Sequence, residues 1–343
     1  MLQMTLTLAT NAKRKKQVQQ IENENQKRID AGLPVIGSFG EVALEFFEKK
    51  MQTKSDSHRK RTWRVIDNDL MPWLKHRPIN EIKAPKLLDV LRRIETRTVE
   101  MSHRALQASG QIFRYGVATG RCEQDITQSH KGALASKQTT HFSALTDTRQ
   151  LGGLLRAIDE YSGSFVVKSA LMLAPLVFVR PGELRGLEWQ HIDFDTAEWR
   201  YLVTKTDTQH IVPLSRQAVD VLRNLYPLTG GGRFAFPSAR TPNGSRSISD
   251  MALLAALRRM GFDKSEMTVH GFRAIARTLL DEVLGFRLDF IEHQLAHAVR
   301  DPNGRAYNRT AHLEERRKMM QSWADYLGSL KAGAQVIPFP ATA

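Results

Sequence analysis

Apolar positions recur at helical spacing over most of the chain. "SFGEVALEFFEKKM" sets Phe39, Val42, Ala43, Phe46 and Phe47 on one stripe behind Ser38 or Gly40, a period that predicts an amphipathic helix. "SDSHRKRTWRVIDNDLMPWL" predicts a second helix that stops at Pro72, because proline lacks the N–H a helix interior needs. "IKAPKLLDVLRRIE" predicts a third, with Pro85 in its first turn, and "SHRALQASGQIFRYGVATG" a fourth closed by Gly120. These helices, rich in Arg and Lys, predict a small helical domain over residues 38–125. Before it lies a basic segment, 1–37, with a charged, Gln-rich helix from Ala12 to Ala31 and a Gly/Pro break at "GLPVIGS".

The polar, small-residue stretch "QSHKGALASKQTTH" marks a linker over residues 126–142. Beyond it the pattern is mixed. Leu151–Ile158 and Phe165–Leu176 predict helices, "AEWRYLVTK" and "HIVPLS" predict strands, and "TDTQ" (Thr206 to Gln209) predicts the hairpin turn between them. Helical spacing then continues through "RRKMMQSWADYLGSL". Its stripe of Met319, Met320, Trp323, Tyr326 and Leu327 suits either the core or a neighbouring protomer. The expected fold is mainly α with a small β-sheet or hairpin: the helical domain, an α+β domain over 143–327, and a tail over 328–343.

Composition narrows the class. The 343 residues are 41% hydrophobic, enough for real cores, and carry a net charge of +14. So basic a globular chain points to a polyanionic partner, above all nucleic acid, with a merely solubilising surface as the alternative. The single cysteine, Cys122, excludes a disulfide framework within the chain and any Cys-built zinc finger, and suits a reducing cytoplasm. The longest apolar run, "ALMLAPLVFV", is too short for a membrane span and contains Pro175. The first residues place their positive charges after a weakly apolar stretch, the reverse of a secretory signal. A cytoplasmic protein with no membrane partner is expected.

Five short motifs could carry chemistry. In "VRPGELRGLEW", Arg180 precedes a helix opened by Pro181, with Glu183 placed to bond back to the helix start. In "TKTDTQHIVPL", Lys205 ends a strand, either as a solvated turn residue or as a cation reaching between phosphates. In "VHGFRAIARTLLDE", His270 and Arg273 sit one turn apart at a helix N-terminus, a place that favours anions; a helix that merely begins with two polar residues is the alternative. In "IEHQLAH", His293 and His297 fall at i and i+4, but Gln294 stands where a zinc-peptidase helix needs Glu, so His297 reads as a hydrogen-bond donor and no metal is expected. In "GRAYNRT", Tyr307 is flanked by Arg305 and Arg309, surroundings that favour a phenolate over a phenol; so activated a tyrosine can serve as a covalent nucleophile, with an amphipathic packing residue as the alternative.

Taken in order, an Arg, a hairpin Lys, His-x-x-Arg, a second His and a Tyr resemble the signature of the tyrosine recombinases, the phage-integrase family. The likeness runs from about Phe39 to Leu327, and "RPGELRGLEW", "HIVPLS", "TVHGFR", "QLAH" and "AYNR" are most similar to the branch found in prophages and genomic islands. The resemblance implies a helical core-binding domain and an α+β catalytic domain closing as a C-shaped clamp on duplex DNA. It implies that Arg180 and Arg273 clamp the scissile phosphate, that Lys205 protonates the leaving 5′-oxygen, and that His270 assists proton transfer. It further implies that His297 hydrogen-bonds the phosphate and that Tyr307 forms a 3′-phosphotyrosyl link, without metal, ATP or other cofactor. The implied partners are double-stranded DNA at attachment sites, three further copies in a tetramer on that DNA, and an excisionase or a host DNA-bending protein. On DNA the protein would sit in the nucleoid. A catalytically decayed DNA-binding remnant and a type IB topoisomerase-like relaxing enzyme are the alternatives. Two departures stand out. Val177 and Phe178 replace a small pair such as Thr-Gly, where glycine would ease a tight turn. Only something like the last helix of an arm-binding domain precedes residue 38.

Overall fold

A computed structural model describes residues 16, 19–137, 145, 147–203, 208–241, 244–297 and 312–333. The chain separates into two units, Met1–Thr139 and Thr140–Ala343.

In the first unit a helix over residues 19–30 (α1) precedes α2 (Phe39–Lys50). Ser38 caps α2 by accepting from the Glu41 N–H at 3.3 Å, and the Glu41 carboxylate accepts from the Gly37 N–H at 2.7 Å. Such reciprocal caps satisfy donors that the first helical turn leaves orphaned. The predicted second helix differs from expectation at Pro72. α3 (Asp56–Val65) runs into a π-helical turn, Ile66–Leu70, and then into α4, Met71–Leu74. The Met71 N–H reaches back five residues to the Ile66 carbonyl. This wider turn delivers Pro72 to the first turn of α4, where no intrahelical donor is needed, so the proline opens a helix instead of ending one. α5 (Ala84–Glu95) and α6 (Val99–Ala118) complete the bundle, and Gly120, at φ 72°, turns the chain out of α6. Phe39, Ile66, Leu70, Leu74, Leu87, Leu91, Ile112 and Phe113 form its core. The stretch expected as linker is ordered at its start. A 3₁₀ turn over Ile126–His130 buries Thr127 and His130, the His130 ring bonds the Ala84 carbonyl at 2.9 Å, and Leu134 joins the core.

The second unit packs α7 (Thr148–Asp159), α8 (Phe165–Val177), α9 (Pro181–Arg185), α10 (Arg216–Thr229), α11 (Asp250–Arg259), α12 (Gly271–Glu282), α13 (Leu288–Gln294) and α14 (Leu313–Ala332) beside a small antiparallel sheet. The sheet order is β1 (Ile192–Asp193), β2 (Glu198–Val203), β3 (Thr208–Pro213), with Tyr201 opposite His210. Trp199, Tyr201 and Val203 point inward on β2 while Arg200 and Leu202 are exposed, the period-two signature of a half-buried strand. Thr208 and Gln209, expected in the turn, belong to β3, paired with Val203 and Leu202. The whole predicted stripe of α14, Met319, Met320, Trp323, Tyr326 and Leu327, is buried in this unit's own core. α14 lies so close to α7 that a Cβ on Gly152 would come within 2.5 Å of the Leu330 carbonyl oxygen. Among the described residues no helix is long and apolar enough to cross a membrane.

Candidate active site

The site begins where α8 ends. Phe178 caps that helix in the left-handed region, at φ 37° and ψ 37°, which costs an L-residue roughly 1–2 kcal/mol. Its ring is fully buried and meets Trp323 of α14 edge-on at 6.2 Å, and burying a Phe side chain is worth about 1.5–3 kcal/mol. The absent glycine is thus offset by packing, and the tight turn forms. The Trp323 indole N–H also donates to the Pro175 carbonyl at 2.8 Å, so α14 holds the turn that launches Arg180.

Arg180 precedes α9. Its N–H and its Nη1 each donate to the Glu183 carboxylate at 2.9 Å, and its Nη2 donates to the Ala296 carbonyl at 3.2 Å. Tyr201 donates its hydroxyl to the same carboxylate at 2.9 Å. Burial, reinforced by the Glu183 charge, holds this phenol well above its ordinary value, so it stays a donor.

Arg273 approaches from the first turn of α12. Its guanidinium donates to the Phe178 carbonyl at 3.0 Å, to the Leu295 carbonyl at 2.8 Å and to His297 Nε2 at 3.1 Å. Although Arg273 is only 5% exposed, burial and the nearby Arg180 charge lower it only to about 10, so it is cationic at neutral pH. His270 is the N-cap of α12 and half-buried. Burial, then Arg273, Arg180 and His297, push its imidazole below the ordinary value, which keeps it neutral and able to accept a proton at neutral pH.

His297 corrects one expectation. α13 ends at Gln294 and Ala296 is left-handed at φ 51°, so His293 and His297 do not share a helix face. The turn instead brings His297 Nδ1 to 2.5 Å from Glu292 Oε2, while Arg277 holds Glu292 Oε1 at 2.8 Å. Among the described residues no three His, Cys, Asp or Glu groups are placed to hold a metal ion.

The structure therefore brings Arg180, His270, Arg273 and His297 together around the N-terminus of α12. Lys205 and Tyr307 lie outside the described residues. Sequence reasoning missed Glu292 and Tyr201. The inward register of Tyr201 on β2 was a usable signal for one; nothing in the spacing betrayed the other, because the αL turn at Ala296 creates its contact. It also missed a buried brace. His210 meets the Gln294 carbonyl at 3.1 Å, and fully buried Arg316 of α14 donates to the Gln294 side chain at 2.5 Å and to the Ile211 carbonyl at 2.5 Å. That brace ties β3, the end of α13 and α14 together. The site is a partly buried cluster of two guanidinium groups and two imidazoles at a helix N-terminus, suited to an oxyanion with developing charge.

Comparison with known proteins agrees. The phage integrase central domain matches residues 39–133 and the phage integrase family matches residues 145–313. The integrase of Enterobacteria phage P4 is 33% identical over 307 residues, covering 84% of this chain and 69% of that protein. The prophage integrase IntZ of Escherichia coli K12 is 32% identical over 310 residues, covering 90% and 75%. Among solved structures, a lambda integrase dimer bound to a COC′ core site superposes with a TM-score of 0.62 at 17% identity, covering 79% of this chain and 98% of that one. A lambda integrase tetramer bound to a Holliday junction gives 0.60 at 19% identity, covering 78% and 79%. The chain belongs to the phage integrase family. Its class of activity is accordingly that of a tyrosine-type site-specific DNA recombinase.

Proposed function

We propose that this recombinase cuts and rejoins duplex DNA at attachment sites through a 3′-phosphotyrosyl intermediate, integrating or excising a prophage or genomic island. One observation carries the reading: two guanidinium groups and two imidazoles, drawn from the α8–α9 turn, the α12 N-terminus and the α13 end, converge on one place. There Arg273 bonds His297, Arg273 and Arg180 bond the successive Leu295 and Ala296 carbonyls, and His270 feels the charges of both arginines and His297. Arg180 and Arg273 clamp the non-bridging oxygens, where charge grows as phosphorus becomes five-coordinate. Tyr307 attacks phosphorus, its proton passing to His270. The 5′-oxygen departs with a proton from Lys205, and His297 hydrogen-bonds the phosphate. The phosphotyrosyl bond keeps the energy of the broken strand, so a 5′-hydroxyl rejoins it by the reverse steps without ATP.

Residues 38–125 serve as the core DNA-binding domain and residues 143–327 as the catalytic domain. The protein works as a homotetramer on DNA, as the lambda integrase bound to a Holliday junction does. An excisionase or host DNA-bending protein sets the direction. The net charge of +14 supports phosphate-dominated, salt-sensitive binding. A nicked core-site duplex, which traps the intermediate by losing the 5′-hydroxyl fragment, tests the reading. A denaturant-resistant protein–DNA adduct, abolished by Tyr307→Phe, is expected. Specific DNA binding with no adduct on any attachment site would mean a DNA-binding remnant.

A further inference from the structure

His297 is held from both sides, and the chemistry of the two contacts fixes its proton. Arg273 has only donors, so Nε2, 3.1 Å from Arg273 Nη2, accepts. Nδ1 therefore carries the hydrogen, donated to the Glu292 carboxylate at 2.5 Å. Glu292 is in turn fixed by Arg277 at 2.8 Å. Burial works to raise the Glu292 carboxyl, yet the bonds from His297 and Arg277 prevail and leave it lowered, so it is ionised at neutral pH. Among the described residues, the charged and titratable groups around the ring include Glu292, Arg273, Arg277, Arg180 and His270.

We propose that Glu292 is a positioning residue for the phosphodiester reaction: its carboxylate fixes His297 as the Nδ1–H tautomer, aims Nε2 at the phosphate, and serves as counter-ion when that nitrogen becomes a donor. The last point follows from proton balance. With Nδ1–H committed to Glu292, Nε2 has a lone pair and no hydrogen. A phosphate taking the Arg273 Nη2 contact frees Nε2, which can hydrogen-bond an anionic oxygen only after gaining a proton from solvent. The ring then meets DNA as an imidazolium between Glu292 and the phosphate, and the carboxylate offsets the charge that Arg273 and Arg180 oppose. This inference rests on the recombinase reading for the identity of the phosphate, but not for the tautomer.

The test combines spectroscopy with a double-mutant cycle on the full chain. In ¹⁵N-histidine-labelled, DNA-free protein, with His297 assigned by its loss in His297→Gln, the Nδ1–H signature is expected. The isosteric Glu292→Gln should lose that pure tautomer while keeping core-site affinity. Its cleavage of nicked substrate should slow roughly 10- to 100-fold, the range expected for losing a charged hydrogen bond. In a His297→Ala background the same substitution should cost nothing further. An Nε2–H signature in the wild type, or an equal loss with and without His297, would overturn the proposal. A wild type that forms no adduct would count against the recombinase reading instead, and the free-protein tautomer would still decide the assignment of Glu292.

Discussion

His210 makes the brace behind the active site sensitive to acid. It is buried on β3, its Nε2–H donating to the Gln294 carbonyl, and burial together with the Arg316 charge lowers it from 6.5 to about 3. Between those values the unfolded chain binds a proton that the folded protein refuses, so stability rises with pH across this window and is lost as pH falls below 6.5. Each unit below 6.5 is worth about 1.4 kcal/mol, so lowering the pH from 7 to 5 should remove about 2 kcal/mol through this residue alone. His210→Gln keeps an amide donor for the Gln294 carbonyl but does not titrate. Urea unfolding can be followed by fluorescence in a Trp63→Phe, Trp73→Phe background, which leaves Trp189, Trp199 and Trp323 of the second unit as reporters. The variant should lose about 2 kcal/mol less than its parent between pH 7 and 5. Parallel losses would show that His210 is not buried in its neutral form.

Other consequences are separable. Gly152→Ala places a Cβ 2.5 Å from the Leu330 carbonyl oxygen and should destabilise by about 1–3 kcal/mol in thermal unfolding; an unchanged midpoint would mean that α7 and α14 are not in such close contact. Phe178→Ala and Phe178→Gly both lose the buried ring, but only alanine keeps the left-handed strain, so the glycine variant should be the more stable by about 1–2 kcal/mol; equal stabilities would refute a strained turn. Lys205→Ala should slow strand cleavage and be rescued by a 5′-bridging sulfur, which leaves without a proton; no rescue would remove Lys205 as the acid.

The fold was legible wherever one interaction dominated. The stripe behind Ser38 gave α2 because capping and burial agree there, and the Met319 to Leu327 stripe located a core helix, though not which core it joins. Pro72 misled because the π turn that relocates it depends on backbone hydrogen bonds that no apolar period encodes. At the site, the motif residues Arg180, His270, Arg273 and His297 were visible as residue types, and three-dimensional convergence supplied the rest. What spacing hid was every contact made across a turn. The pairing of Glu292 with His297 needs left-handed Ala296, and the carbonyl that holds Arg273 belongs to left-handed Phe178. The Gln294–Arg316 brace joins residues 22 apart in sequence, a separation no helical or strand period predicts.

The central claim is that these groups surround a single phosphorus. A structure of the protein with core-site DNA and orthovanadate, which adopts the five-coordinate geometry of the transition state, tests it directly. Arg180, His270, Arg273 and His297 should stand within hydrogen-bonding distance of the vanadate oxygens, with the Tyr307 hydroxyl oxygen at one apex and the DNA 5′-oxygen at the other. Vanadate bound elsewhere, or an apex filled by any group but Tyr307, would contradict the account.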